Sequence, residues 1–308
     1  MRVLAQAGYG VSILDDLSTG FRPFAGDFAF YEGRASDEKL VTRIVREQKT
    51  DAVMHFAARA LVGESMADPL LYYERNVAET VRLLQTLRTC AVKTFVFSSS
   101  CATYGLVGDS PISEDLPQNP INPYGMSKLM VERILRDSVD AHGMRVAVLR
   151  YFNAAGADAG GGIGEAHEPE THLVPNAVRA AMGFGDAITV HGSDYPTPDG
   201  TCVRDYVHVS DLAQGHILAL KKVQREGGFQ HYNLGTGHGH SVLEVLSEIE
   251  RTLGEGVPVQ KGPRRPGDPP RLVANPAKAH RELGWKPRYS MKDIIETHGR
   301  WEKERNSK

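Results

Sequence analysis

The sequence predicts an α/β fold, a doubly wound parallel sheet, with a smaller C-terminal α/β domain. Two observations predict it. Short apolar segments that suit buried strands recur through the first half of the chain, and amphipathic segments of helical length separate them. This alternation is typical of βαβ units around a parallel sheet. At 308 residues the chain has room for one large domain or two smaller ones.

The elements of the first half follow from local sequence. The predicted strands occupy residues 9–14, 52–56, 94–97 and 145–150. The predicted helices occupy residues 36–48, residues 68–90 and a segment that begins after Asn122. Asn122 is a suitable N-cap, and Pro123 suits the first helical position because its missing N–H would have no partner there. We therefore expect a helix that starts at Pro123.

The second half consists of smaller elements. The predicted elements are a helix over 172–184, a strand over 188–190, a loop rich in proline and glycine over 194–201, a strand over 203–209 with a helix after it, and a charged helix that includes Trp301. The strand over 203–209 is expected to return to the first domain. We predict a dinucleotide-binding domain over 1–153, rejoined by 203–235, and a mainly substrate-binding domain over 154–308.

Composition excludes several classes of function. The formal net charge is −2 and no long basic run is present, so we expect neither nucleic acid nor a membrane surface as a partner. No apolar run approaches the ~18 residues of a membrane-spanning helix. The three cysteines and twelve histidines lack metal-ligand spacing. We therefore expect no metal site, and reduced thiols in a cytoplasmic protein.

Tyr124 and Lys128 form a candidate catalytic pair. They are four residues apart on one predicted helix and so share a face. A phenol titrates near 10, too high for a base at neutral pH, but a nearby ammonium stabilises the phenolate and can lower its pKa by roughly 1–3 units. The spacing predicts a tyrosine base assisted by a lysine. An amphipathic helix with an exposed tyrosine and lysine has the same pattern.

Candidate cofactor residues fall at the ends of predicted strands, where ligands bind in doubly wound sheets. Asp15 follows the first strand, and a carboxylate there accepts hydrogen bonds from the adenosine ribose hydroxyls, which favours NAD over a 2′-phosphorylated cofactor. Phe56-Ala57-Ala58 closes the second strand with small residues that permit close approach of a nucleotide. Ser100 follows the third strand, where it can hydrogen-bond a substrate hydroxyl and share a proton with Tyr124.

The glycine-rich fingerprint that accompanies such a carboxylate would lie about 20 residues before Asp15, outside this sequence. Residues 2–8 instead predict the last turns of a helix and its glycine cap. In this topology the strand before that helix would lie between the strands over 9–14 and 94–97. Without it, these two strands either have unpaired, apolar edges or close onto each other. We therefore expect the 308-residue chain to bind NAD weakly and to be poorly soluble or inactive.

Several motifs together resemble a known family. Ser98-Ser99-Ser100, Tyr124-x-x-x-Lys128 and Arg150-Tyr151-Phe152-Asn153 resemble the extended short-chain dehydrogenase/reductases. Further segments narrow the resemblance to the group of that family that epimerises UDP-hexoses. These are residues 14–20, 62–65, 194–201, 203–209 and 263–268. The resemblance covers nearly the whole chain.

The resemblance implies roles for particular residues. Ser100, Tyr124 and Lys128 would be the catalytic residues. Positions implied to line NAD, besides these three, are Asp15, Asp16, Phe56, Ala57, Ala58, Asn76 and Phe152. Positions implied to hold the UDP-sugar are Asn153, His172, Leu173, Arg204, Arg265 and Asp268, with Leu272 beside the sugar 2-substituent. Two arginines suit a diphosphate because each offers a charge-assisted fork of donors.

The implied activity is the interconversion of UDP-glucose and UDP-galactose by transient, NAD-dependent oxidation at the sugar C4, by a homodimer in galactose metabolism. One alternative is an inactive or non-catalytic relative, because the phosphate-binding glycine loop is absent. Another is a 4-epimerase of UDP-N-acetylglucosamine or of a UDP-pentose. A nucleotide-sugar 4,6-dehydratase needs an acid/base carboxylate pair just after the catalytic hydroxyl residue. Here Cys101-Ala102-Thr103 follow Ser100, which argues against dehydration.

Overall fold

A computed structural model describes residues 1–108, 111–265 and 268–307. The strands are β1 (Ser12–Asp15), β2 (Ala29–Glu32), β3 (Ala52–His55), β4 (Thr94–Ser100), β5 (Arg145–Tyr151), β6 (Asn153–Ala155), β7 (Ile188–His191), β8 (Val203–His208), β9 (Phe229–Leu234), β10 (Gly239–Ser241), β11 (Val259–Gly262) and β12 (Arg271–Leu272). The helices are α1 (Arg2–Gln6), α2 (Glu38–Gln48), α3 (Val62–Ala67), α4 (Pro69–Tyr72), α5 (Glu79–Thr89), α6 (Pro123–His142), α7 (Leu173–Ala181), α8 (Val209–Glu226), α9 (Val242–Leu253), α10 (Ala277–Leu283) and α11 (Met291–Asn306).

These elements divide into two units. Unit 1 comprises Met1–Leu106, Asp115–Arg150 and Gln214–Tyr232, and unit 2 comprises Val107–Glu114, Tyr151–Ala213 and Asn233–Lys308. Parallel strands flanked by helices make both of them α/β, as the sequence predicted. No helix in the described part of the chain is both long and apolar enough to cross a membrane.

The core of unit 1 lies against a four-stranded sheet. Its strand order is β3-β4-β5-β9, while β1 and β2 pair in parallel as a separate sheet. The buried side chains of β4 and α6, among them Phe95 and Val131, join one hydrophobic cluster. Because β4 pairs with β3 on one side and β5 on the other, the free edge predicted for residues 94–97 is wrong. Among the described strands, β3 pairs only with β4, so β3 and not β4 lies at this edge of the sheet.

Unit 2 is built around the fully buried strand β8. It pairs in parallel with β6 and β12 and antiparallel with β10, and β7 pairs with β11 in a second small sheet. The sequence predicts that residues 203–209 return to the first domain. The pairing of β8 keeps that strand in unit 2, and unit 1 resumes at Gln214 within α8.

The helices of unit 1 confirm two local predictions. α6 begins at Pro123, and the side-chain oxygen of Asn122 accepts a hydrogen bond from the Gly125 N–H at 2.8 Å. The predicted helix over 68–90 is present as α4, a π-helical segment (Tyr73–Ala78) and α5. π segments inside helices are common at functional sites, and this one contains Asn76.

Candidate active site

Three candidate catalytic side chains of unit 1 come from two neighbouring elements. Ser100 is the last residue of β4, and Tyr124 and Lys128 lie one turn apart at the start of α6. The Lys128 Nζ atom lies 5.9 Å from the centre of the Tyr124 ring and 5.0 Å from that of Phe97. The Ser100 hydroxyl is close enough to Tyr124 to favour the ionised phenol, and its Oγ accepts from the Ala102 N–H at 3.1 Å. The structure thus brings together the serine, tyrosine and lysine that the sequence analysis selected.

The protonation of these groups differs from the prediction made from sequence. Burial raises the pKa of Tyr124 to about 12, and the nearby Ser100 hydroxyl opposes that rise. The Lys128 Nζ donates to the main-chain oxygen of Ser98 at 2.8 Å and lies over the Tyr124 ring, 5.9 Å from its centre, so its charge does not offset the effect of burial on the phenol. The predicted lowering of the Tyr124 pKa by Lys128 alone is therefore wrong. Burial lowers the pKa of Lys128 itself to about 8, against the opposing charge of Glu132.

Asn76 connects the end of β3 to α6. Its Oδ1 accepts from the Arg59 N–H at 2.8 Å, and its Nδ2 donates to the Arg59 carbonyl at 3.0 Å and to the Ser127 Oγ at 2.9 Å. The buried amide therefore holds the loop after β3 against the residue next to Lys128. These contacts fix the position of the Asn76 amide, which the sequence predicts to line NAD.

Five of the residues predicted for the nucleotide cofactor lie at the carboxyl ends of β1 and β3. Asp15 ends β1, and its Oδ1 accepts from the Leu17 N–H at 2.8 Å. The backbone at Gly20 passes so close that a Cβ there would lie 2.7 Å from the Asp15 Oδ1. Asp16 lies 3.9 Å from Arg75 in an ion pair. Phe56 and the two alanines after it follow β3, and the Phe56 side chain is 56% exposed.

These residues have the chemistry that a dinucleotide requires. The second carboxylate oxygen of Asp15 offers lone pairs for ribose hydroxyls, and Ala57 and Ala58 present no bulk to a nucleotide. The large exposed apolar face of Phe56 suits contact with a planar ring. The donor and acceptor set of unit 1 therefore fits NAD.

Unit 2 brings together three of the residues predicted for the UDP-sugar. The Arg204 Nη2 lies 2.7 Å from the Asp268 Oδ1, and Arg204 is 9% exposed. Leu272 of β12 is the registered partner of Arg204 on β8. Arg265 is exposed, three residues before Asp268, and the two residues between them lie outside the described part of the chain. Arg204, Asp268 and Leu272 thus form one group at the start of β8.

The remaining predicted residues lie elsewhere. Asn153 begins β6 and is the registered partner of Tyr206 on β8. Phe152 is buried, in unit 2, and its N–H donates to the Leu234 carbonyl at 3.3 Å. Leu173 begins α7 and packs against the hydrophobic core of unit 2.

His172, the N-cap residue of α7, belongs to a cluster that the sequence analysis missed. His172, His167, Glu165 and Glu170 place one ligand-type atom each within 4.8 Å of one another. Burial favours the neutral ring of His172, but hydrogen bonds to Glu165 and Glu170 outweigh it and raise its pKa to about 10. The same two glutamates raise the pKa of His167 to about 9. The alternation of glutamate and histidine over 165–172 was the available sequence signal.

A second missed feature involves a tyrosine and an arginine of unit 2. The Arg264 guanidinium lies 4.2 Å from the centre of the Tyr195 ring, and its Nε is 2.7 Å from the Asp194 Oδ1. Stacking of this kind fixes the plane of a guanidinium. Both residues lie in segments that carried the family resemblance.

The fold, the Ser100–Tyr124–Lys128 group and the acidic residue at the end of β1 define the class of the protein. Residues 1–235 match the NAD dependent epimerase/dehydratase family. The chain belongs to this family.

Individual relatives are more specific. The chain is 48% identical over 305 residues to the UDP-glucose 4-epimerase of Lactobacillus helveticus, covering 98% of this chain and 92% of the relative. It is similar to the crystal structure of a UDP-glucose 4-epimerase from Brucella ovis in complex with NAD, with a TM-score of 0.93, 47% identity and coverage of 97% and 92% of the two chains. A UDP-glucose 4-epimerase from Bifidobacterium longum in complex with NAD+ and UDP matches with a TM-score of 0.94, 39% identity and coverage of 99% and 94%.

Proposed function

We propose that this chain interconverts UDP-glucose and UDP-galactose by NAD-dependent oxidation and re-reduction at C4 of the sugar. The observation that carries the proposal is the joint presence of Ser100, Tyr124 and Lys128 in unit 1. Their presence favours an enzyme over a non-catalytic relative. The relatives solved with NAD and with UDP support the choice of cofactor and substrate.

The chain supplies a base and its support. Tyr124 takes the proton of the sugar 4-hydroxyl, and the nearby Ser100 hydroxyl orients that group by a hydrogen bond. NAD, when bound, supplies the hydride acceptor at C4 and the positive charge of an oxidised nicotinamide. A pKa of about 12 is too high for a base at neutral pH, so Tyr124 requires a positive charge near its oxygen in addition to Lys128. Return of the proton from Tyr124 completes the cycle.

Residues of unit 2 hold the nucleotide half of the substrate. Arg204 and Arg265 suit a diphosphate because a guanidinium forms paired, charge-assisted hydrogen bonds with phosphate oxygens. Asp268 suits a ribose hydroxyl of the substrate. Before substrate binds, it pairs with Arg204, whose Nη2 lies 2.7 Å from the Asp268 Oδ1. Glu165 and Glu170 keep the His172 ring cationic at neutral pH, so both of its ring nitrogens are hydrogen-bond donors. Binding through the nucleotide leaves the sugar free to turn between oxidation and reduction.

Two alternatives within the family make different products. A dehydratase requires a carboxylate pair beside Ser100, and the adjoining turn holds Cys101 and Thr103, with the Thr103 Oγ1 donating to the Ser100 carbonyl at 2.9 Å. A 4-epimerase for N-acetylated sugars or pentoses would differ in the space beside the sugar. We propose that Leu272 lines this space. The medium size of the leucine side chain favours hexoses without an N-acetyl group.

We further propose a homodimer in the cytoplasm. Met66, Leu70 and Met130 are 63%, 76% and 38% exposed, and they lie on helices α3, α4 and α6, which pack against one another in unit 1. Exposed apolar side chains on neighbouring helices suit a subunit interface. The free thiols Cys90, Cys101 and Cys202 suit a reducing compartment. Light scattering of Leu70→Lys beside the parent chain tests the dimer, and an unchanged mass would contradict this interface.

The defining experiment incubates the chain with NAD and UDP-galactose and follows UDP-glucose by NMR. We expect conversion in both directions to one equilibrium ratio, because the reaction is an isomerisation. NAD titration by calorimetry runs beside it, so that weak cofactor binding and failed chemistry are separated. Saturation with NAD without any conversion of either sugar would contradict the proposal. Formation of a 4-keto-6-deoxy sugar would identify the dehydratase instead.

A further inference from the structure

Glu132 is a buried carboxylate one helical turn beyond Lys128 on α6, and it is 3% exposed. Burial of a charge to this degree is costly unless partners satisfy it. Its partners come from three other segments of unit 1: Ser99 Oγ donates to Oε1 at 2.5 Å, Gln118 Nε2 to Oε2 at 3.0 Å, and Arg150 Nη2 to Oε2 at 2.7 Å.

Arg150 completes the arrangement from the end of β5. Its Nε lies 3.1 Å and 3.3 Å from the two carboxylate oxygens of Glu132, and its Nη1 donates to the Tyr104 hydroxyl at 2.7 Å. Arg150 is 4% exposed, and the rigid fork of a guanidinium fixes the plane of the carboxylate it holds. Glu132 is therefore held in one orientation from several sides.

Two short connections lead from Glu132 to the reacting groups. Ser99 precedes Ser100 on β4, so the Ser99–Glu132 hydrogen bond fixes the end of the strand that carries Ser100. Lys128 is four residues before Glu132 on α6, and the carboxylate is the nearby negative charge that opposes loss of the Lys128 proton. We propose that Glu132, oriented by Arg150, is a positioning residue for this reaction, which fixes Ser100 through Ser99 and keeps Lys128 charged.

A purely structural role of Glu132 predicts a different experimental result. Buried ion pairs are weak contributors to net stability, and apolar residues of similar volume often replace them without loss. A carboxylate that serves only to join β4, β5 and α6 would change the folded fraction when altered. It would not change the titration of Lys128 in the molecules that remain folded. The titration of Lys128 therefore separates the two roles.

The inference rests on the proposed function for its catalytic part, and its first test does not use activity. Lysine labelled with ¹³C at Cε is titrated by NMR, with the Lys128 signal assigned by its loss in Lys128→Met. We expect a pKa of about 8 in the parent chain and a lower value in Glu132→Gln, because removal of the negative charge favours the neutral amine. A parent chain that does not interconvert the sugars overturns the proposed function, while this titration still decides the role of Glu132.

The second test measures turnover against pH. In Glu132→Gln we expect kcat to fall about 10²-fold from misplacement of Ser100 and Lys128, with little change in KM. The alkaline limb should also move to lower pH. Glu302→Gln is the matched control, a 1% exposed glutamate on α11 whose Oε2 lies 3.9 Å from the Arg179 Nε. It should lower stability without moving the pH profile.

A double variant separates a loss of stability from a loss of turnover. Glu132→Gln leaves the Arg150 charge buried without its partner, and Arg150→Met in the same chain removes it. We expect Glu132→Gln/Arg150→Met to recover the melting temperature while kcat stays low. Recovery of kcat together with stability would overturn the proposal. So would an unchanged Lys128 pKa and pH profile in Glu132→Gln.

Discussion

Lys128 donates from Nζ to the main-chain oxygen of Ser98 at 2.8 Å, and its ammonium lies beside the Tyr124 ring, 5.9 Å from the ring centre. The lysine thus connects α6 to β4 two residues before Ser100. Its position is set by the carbonyl of a strand, and its effect on the phenol is exerted across the face of the ring. We therefore expect substitution of Lys128 to change the pH dependence of turnover, and substitution of Tyr124 to lower turnover itself.

Replacement of Lys128 by methionine removes the charge and keeps most of the volume. We expect weaker NAD binding, and we expect the acid limb of the kcat profile to move to higher pH, because the Tyr124 phenolate loses a stabilising charge. In the parent chain, activity should decline above about pH 8, where Lys128 loses its proton. Stopped assays of sugar interconversion across the neutral and alkaline range measure both effects. A profile identical to that of the parent would count against this role.

Replacement of Tyr124 by phenylalanine removes the base. Loss of general base catalysis typically costs about 10²–10⁴-fold in turnover, and we expect a decrease in this range with UDP-sugar affinity retained. Tyr72→Phe is the matched control, because the Tyr72 ring lies 6.4 Å from that of Tyr124 and its hydroxyl oxygen lies 2.6 Å from the Leu61 carbonyl oxygen and 2.8 Å from the Glu64 Oε2. That control should retain turnover. Near-normal turnover in Tyr124→Phe would remove the phenol from the mechanism.

Arg204→Lys tests the group of unit 2 that we propose to bind the nucleotide. Lysine keeps the charge but lacks the planar fork, so paired hydrogen bonds to a diphosphate are lost. One hydrogen bond to a charged group contributes about 1.5–3 kcal/mol, so KM for UDP-galactose should rise roughly 10- to 100-fold with kcat little changed. Arg251→Lys, in an exposed pair with Glu248, is the control. A fall in kcat with unchanged KM would instead place Arg204 in the chemical step.

Leu272 tests the range of sugars. It lies opposite Arg204 in the β8–β12 ladder, and we expect its side chain to limit the space beside the sugar 2-substituent. The parent chain should prefer UDP-glucose and UDP-galactose and turn over UDP-N-acetylglucosamine slowly. Leu272→Ser should raise kcat/KM for the N-acetylated sugar, whereas Leu272→Tyr should lower it. Equal efficiency of the parent chain on both kinds of sugar would show that Leu272 is no barrier.

The histidine cluster of unit 2 predicts a pH dependence of stability. His167 and His172 have folded pKa values of about 9 and 10, above the ordinary value of 6.5. Raised values mean that the folded state binds the protons more tightly. The stability that the protonated His167 and His172 rings contribute is therefore fully present below about pH 6.5. It is lost as the pH rises through 9 to 10. NMR titration of the two rings measures this, with Glu170→Gln expected to lower both values. Ring pKa values near 6.5 would contradict the cluster.

The sequence by itself determined the local features of this protein. The Asn122 cap and Pro123 fixed the start of α6, and the four-residue spacing put Tyr124 and Lys128 on one face. These features depend on neighbours within one or two turns, so they can be predicted without the rest of the chain. The same is true of Asp15 and Ser100 at the ends of strands, because strand ends follow from apolar runs.

Only the tertiary structure decided the partners of these residues. Asn76 reaches Ser127, Glu132 reaches Ser99 and Arg150, and Arg204 pairs with Asp268, contacts that span 51, 33, 18 and 64 residues. The place of β8 in unit 2 likewise depends on β10 and β12, which follow it in the chain. A local pattern carries no information on which distant segments meet, because strand pairing and helix packing set those distances. Burial and these partners also set the pKa values of Tyr124 and Lys128, which the spacing alone predicted incorrectly for the tyrosine.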